Sequence, residues 1–201
     1  MKLFLTLGLG LLTGAGFMVL PRLASHVHAA MNAVHSGDFA KSASKAIHTE
    51  RTFEFIAKAP IEIAAPLFGA DKERTWAPGW NPAFLWPTNA NDQKGMVFTV
   101  AHGHKAAVWI NTAYDPTTGS IQYVYVIPGV MATLITLKLK PQNKWTHVTV
   151  QYERTALNTG AGDIVLEMAD HDSKSGPEWE KQINDYLARN SEHPTFEHKQ
   201  P

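Results

Sequence analysis

From Glu50 onward the chain reads as one strand, a short helical stretch, a long unbroken series of strands and a single helix at the end. Few folds accommodate that order. A strongly curved antiparallel sheet with one long helix lying across it does so, because each element then buries its apolar face against the other. Such an arrangement tends to enclose a cavity, so the order of elements points to a container before any single residue is considered.

The opening elements are short. Residues 48–59 (HTERTFEFIAKA) are rich in β-formers and read as the first strand. Pro60 ends it and suits the first position of a helix, but residues 61–68 (IEIAAPLF) are interrupted by Pro66, which keeps any helix brief or kinked. Asp71 stands where it could cap a second short helix running through Arg74. Residues 76–87 (WAPGWNPAFLWP) hold three tryptophans, three prolines and a glycine, a composition that forbids a regular helix. That segment is stable only with its rings buried, and is expected to form a packed collar.

Period-two alternation then repeats along consecutive segments. Residues 95–102 place Met96, Phe98 and Val100 on one face. Residues 104–114 set Ala106, Val108 and Ile110 opposite Lys105, Trp109 and Asn111. After the turn DPTTG at 115–119, where proline presets φ and glycine allows positive φ, Ile121, Tyr123, Tyr125 and Ile127 share a face. Ile135, Leu137 and Leu139 follow opposite Thr136, Lys138 and Lys140, and Val148, Val150 and Tyr152 opposite His147, Thr149 and Gln151. Alternation of this kind with short connections predicts an antiparallel meander with one dry and one wet face. Beyond Leu157, residues 162–169 suit a short helix. Gly176-Pro177 then starts the last one, with Ser175 as its cap and Trp179, Ile183, Tyr186 and Leu187 as an apolar stripe.

In the order and spacing of FEFIAKAPIEIAAPLF, WAPGWNP, GMVF and PEWEKQINDYL, the chain resembles the START-like superfamily, also called SRPBCC, over about residues 51–187. The superfamily includes polyketide cyclase/dehydrase-type proteins and the birch-pollen-allergen fold. The resemblance implies an α+β helix-grip fold, in which a curved seven-stranded antiparallel sheet wraps a C-terminal helix. It also implies an interior that in many members holds lipids, sterols, polyketides or other apolar ligands; some members are enzymes. The chain departs from the simplest pattern in its N-terminal segment and in a break before Gly176.

At 201 residues the chain suits one domain with appendages. Its 18 basic and 18 acidic residues balance, which removes the phosphate-neutralising attraction that nucleic-acid binding leans on. Absence of cysteine excludes disulfides, thiolate metal sites and a cysteine nucleophile. Residues 1–29 read as a signal peptide or an N-terminal membrane anchor: Lys2 precedes a run from 3 to 20 without charge, and Val27-His28-Ala29 resembles a cleavage site. Residues 30–47 read as a linker, 48–190 as the domain and 191–201 as a flexible tail. The expectation is an exported protein, periplasmic or secreted, or one held at the inner membrane through residues 3–20.

The candidate pocket lining is aromatic: Phe55, Trp80, Phe98, Tyr123, Tyr125 and Trp179, joined by Ile183 of the last helix. Apolar walls with a few polar tips suit a small-molecule site, although each ring could equally fill a core. His102 and His104 flank Gly103, whose turn spoils a shared metal-binding face; Asp170-His171-Asp172 reads as a polar loop, and Asp163 and Glu167 as a solvated helical face. The chain contains no G-x-S-x-G elbow, phosphate loop or dinucleotide fingerprint, and no cofactor is expected. The expected function is binding of a hydrophobic or amphipathic small molecule. A cyclase/dehydratase enzyme is the alternative and requires a polar dyad inside the pocket. A protein-interaction module is a third reading and requires an exposed apolar patch near residues 76–86. An interior filled by side chains counts against binding.

Overall fold

The computed structural model describes residues 46–102 and 105–191. The readings made above for residues 1–45, for Gly103 and His104 and for the tail from 192 lie outside the described residues.

Seven antiparallel strands form one sheet: β1 His48–Ala57, β2 Ala83–Trp86, β3 Val97–His102, β4 Lys105–Asp115, β5 Ser120–Ile127, β6 Met131–Gln142 and β7 Trp145–Ala156. Their spatial order is β1-β7-β6-β5-β4-β3-β2. Strands β2 to β7 are therefore a meander, and β1 returns to pair with the last strand, Phe53 opposite Val150 and Phe55 opposite Val148. Between β1 and β2 lie α1 (Ile61–Ala64), continued by a 3₁₀ turn at Ala65–Phe68, and a second 3₁₀ turn at Lys72–Thr75. Helices α2 (Gly162–Asp172) and α3 (Gly176–Ser191) close the chain. This is the curved sheet with a C-terminal helix that the order of elements predicts.

The dry face follows the alternation strand by strand. On β7 the series Thr146, Val148, Val150, Tyr152, Arg154 and Ala156 is buried throughout. Strand β4 turns the other way from its aliphatic run: Trp109 and Asn111 are buried, while Val108 and Ile110 are 39% and 40% exposed. The reason is packing rather than hydrophobicity. The Trp109 ring stacks on Tyr125 with centroids 4.3 Å apart and on Phe98 at 5.7 Å, and a bulge between Asn111 and Ala113 absorbs the register.

The collar holds in part. Trp76 and Trp80 are buried and donate their indole N–H groups to Leu67 O and Ala70 O, both at 2.7 Å. Leu85 and Trp86, on the edge strand β2, are 56% and 55% exposed. Asp71 stands at the start of its turn, but its carboxylate pairs with Arg74 at 3.3 Å rather than capping the backbone.

Helix α2 extends through the Asp170-His171-Asp172 triplet, which is therefore helix and not loop. Asp163 and Glu167 are exposed on it. The break before α3 coincides with a close approach: a Cβ on Gly176 would lie 3.2 Å from Glu54 O and 3.5 Å from Phe53. Ser175 starts the ladder of α3 through its carbonyl, which accepts from Trp179 N at 3.1 Å, while its hydroxyl turns back to His171 O at 3.0 Å.

Candidate functional site

Two aromatic clusters meet inside the fold. One spans the meander and the tryptophan segment: Trp80, Phe98, Trp109, Tyr123 and Tyr125. The other gathers around Trp179 of α3, which stacks on Phe68 at 6.4 Å and meets Phe53, Phe55 and Trp76 edge-on at 5.4, 6.2 and 5.4 Å. Such offset and edge-on contacts fix ring positions beyond what area burial alone would do.

A cavity lies where the clusters meet. Trp80, Trp109, Tyr123, Tyr125, Tyr152 and Trp179 border it, with Ile135, Leu137, Glu73 and Arg154 completing the wall. Of the residues expected from sequence, Trp80, Tyr123, Tyr125 and Trp179 border this space. Phe55, Phe98 and Ile183 lie in the packed core around it. The space open to the centre of a water molecule is about 20 Å³, room for one or two waters. The rings fill most of the interior, so a larger occupant must displace some of them.

The polar part of the wall was not singled out in the sequence. Arg154, 1% exposed, grips Asp172 of α2 in a fork: Nε donates to Oδ2 at 2.6 Å and Nη2 to Oδ1 at 2.8 Å. Its Nη1 donates to the Tyr125 hydroxyl and to Thr133 Oγ1 at 3.1 Å, and the guanidinium lies 4.7 Å from the Tyr152 ring centroid. Bidentate geometry and saturated donors are what let an ion pair persist out of water.

Glu73 is different. It sits on the 3₁₀ turn, is 6% exposed, borders the cavity and makes no side-chain hydrogen bond among the described residues. Burial, reinforced by the Asp92 carboxyl, raises its pKa well above the ordinary carboxylate value and favours the neutral acid. Tyr123 donates to Phe68 O at 2.7 Å. The Tyr152 hydroxyl, also at the cavity, has no hydrogen-bond partner among the described residues. Asp92 accepts from Ala70 N at 2.7 Å and fills the space beside Gly69, where a Cβ would lie 2.1 Å from its carboxylate and 3.1 Å from the Tyr114 hydroxyl. That glycine lets the carboxylate reach the turn that carries Glu73. Among the described residues no group of three histidine, cysteine or acidic side chains is placed to hold a metal ion.

No family model and no curated protein matches this chain. Solved structures do match. Ara h 8.0201 superposes with a TM-score of 0.54 at 18% identity, over 72% of this chain and 100% of that one. Norcoclaurine synthase from Thalictrum flavum gives 0.53 at 9% identity, over 74% of this chain and 91% of that one. An uncharacterised protein from Rhizobium leguminosarum gives 0.53 at 16% identity, over 72% and 97%. At these identities the likeness is one of fold.

Proposed function

We propose that this chain, which has the helix-grip fold of the START-like superfamily, binds a hydrophobic or amphipathic small molecule between its sheet and α3. The observation that carries the reading is the cavity itself: six aromatic side chains border it, and two polar groups there, the Glu73 carboxyl and the Tyr152 hydroxyl, have no protein partner among the described residues. Polar groups without a protein partner at the edge of an apolar space are free to pair with a ligand. Because the space is small as it stands, binding requires the Trp80, Trp109 or Trp179 ring to move aside. The test is native mass spectrometry of the purified chain, followed by thermal unfolding with and without whatever small molecule is recovered. A bound apolar compound that raises the unfolding temperature supports the reading. A protein that carries nothing, and that no lipid, sterol or polyketide stabilises, overturns it. Export, or attachment through residues 3–20, is proposed from the sequence alone.

A second reading has an observation of its own. A carboxylic acid kept neutral in an apolar cavity beside tyrosine hydroxyls is suited to donate a proton to a reacting oxygen, which is the polar set that the cyclase/dehydratase alternative needs. The two readings part on the fate of the ligand: a binder returns it chemically unchanged, and an enzyme does not.

A further inference from the structure

The charges around the cavity are settled before a ligand arrives. Arg154 is the cation among the bordering residues, and Asp172, Tyr125 and Thr133 already take four N–H···O bonds from it. Glu73 has no such partner, and the groups that act on it electrostatically, Asp92 and the phenols of Tyr123 and Tyr152, bring no positive charge. A ligand carboxylate placed here would be a buried anion without a counter-ion, next to a second acid. A hydrocarbon would leave the Glu73 carboxyl unsatisfied. A neutral ligand with an oxygen acceptor satisfies it.

Resting on the cavity reading above, we propose that Glu73 acts as a hydrogen-bond donor to the ligand and makes this a site for uncharged ring compounds carrying a ketone, ester or ether oxygen, and against fatty-acid-like carboxylates. The aromatic walls supply flat apolar contact, and Glu73 sets which end of the ligand points toward the 3₁₀ turn.

The experiment compares four probes of one skeleton on the full chain at neutral pH: fluorene, fluorenone, fluorenecarboxylate and fluorenylammonium. Affinities come from quenching of tryptophan fluorescence, checked by calorimetry. Fluorenone is expected to bind about tenfold tighter than fluorene, the worth of one buried hydrogen bond, and tighter than either ion. Glu73→Leu should level fluorenone with fluorene. Glu73→Gln, which keeps an uncharged donor, should preserve the preference, and retained fluorene binding by the leucine variant shows that its lost preference is not a failure to fold. If fluorene and fluorenone bind alike, or the leucine variant keeps the ketone preference, or either ion binds as well as the ketone, the inference falls while the cavity reading stands. If none of the four binds, the inference falls, and the cavity reading is decided by the mass-spectrometric and thermal test above.

Discussion

Arg154 and Asp172 face each other across the junction of β7 and α2, both almost wholly buried, with two N–H···O bonds of 2.6 and 2.8 Å. One residue belongs to the sheet and the other to the last turn of the helix before the break. The pair therefore sets where α2 ends and, through Ser173–Ser175, where α3 starts, and α3 carries Trp179 to the cavity.

Breaking that pair from either side should be severe. Asp172→Leu and Arg154→Met should each cost about 3–5 kcal/mol, because each leaves a buried charged group without its partner. Replacing both with apolar residues, Arg154→Met with Asp172→Leu, should recover most of that loss. A double-mutant cycle in urea measures it. Single-variant costs that simply add would show that the two side chains do not act as a unit.

Asp92 gives the stability of the fold a pH dependence. Burial is the largest cause of its displacement; the Ala70 N–H opposes it and Asp71 adds to it, and the pKa rises from 3.8 to about 6. A carboxyl whose pKa is raised in the folded state stabilises it only while protonated. That contribution is complete below about pH 4 and is lost as the pH rises through about 6. Asp92→Asn keeps an oxygen for the Ala70 N–H and has no proton to lose. Its unfolding temperature relative to wild type should therefore climb between about pH 4 and 6 and then level. A difference that stays constant over that range would mean that Asp92 titrates normally. Glu73 shifts in the same direction, so the curves are best measured in Glu73→Gln as well.

Much of this architecture was legible because period-two alternation is a geometric property of a strand and survives tertiary context. Parity even reaches Arg154, which continues the buried series of Thr146, Val148, Val150 and Tyr152. Its charge argued against burial, and Asp172, eighteen residues on in the chain, gave no local sign of being its partner. Strand β4 misled because its aliphatic side chains, Val108 and Ile110, lie on the outer face, and ring stacking on Tyr125 decided which way Trp109 turned. Glu73 offered no signal. It lies on a single 3₁₀ turn held in place by the Trp80 N–H to Ala70 O and by the Asp92 contact to Ala70 N, so its burial is a product of the whole fold.

The turn between β4 and β5 has no room for a side chain at Gly119. Its φ is +70°, and a Cβ there would lie 2.4 Å from Leu139 O and 3.0 Å from Ile61 Cδ1. The carbonyl of the same glycine accepts from Leu139 N at 2.8 Å, so the turn cannot back away without losing a bond to β6. Gly119→Ala should cost more than about 2 kcal/mol, combining left-handed strain with displacement of a neighbouring strand. Chemical denaturation checks it. A cost under about 1 kcal/mol, the ordinary range for a relaxed site, would show that β6 yields.

Trp179 tests whether the cavity and the helix are one system. Its ring meets Phe53, Phe55, Phe68 and Trp76 and also borders the cavity. Trp179→Ala should cost about 3–5 kcal/mol, the range for removing a large buried aromatic side chain. The lost ring also leaves an apolar void continuous with the existing space, and such voids stay open to small aromatic molecules when the surrounding structure cannot collapse. Added indole should therefore raise the unfolding temperature of Trp179→Ala, by mass action on the folded state, by more than it raises that of wild type. If indole stabilises neither protein, the neighbouring rings have closed over the gap and α3 does not form a movable wall of the cavity. Stabilisation of wild type as well would mean that one of the three tryptophans already moves aside to admit a ring.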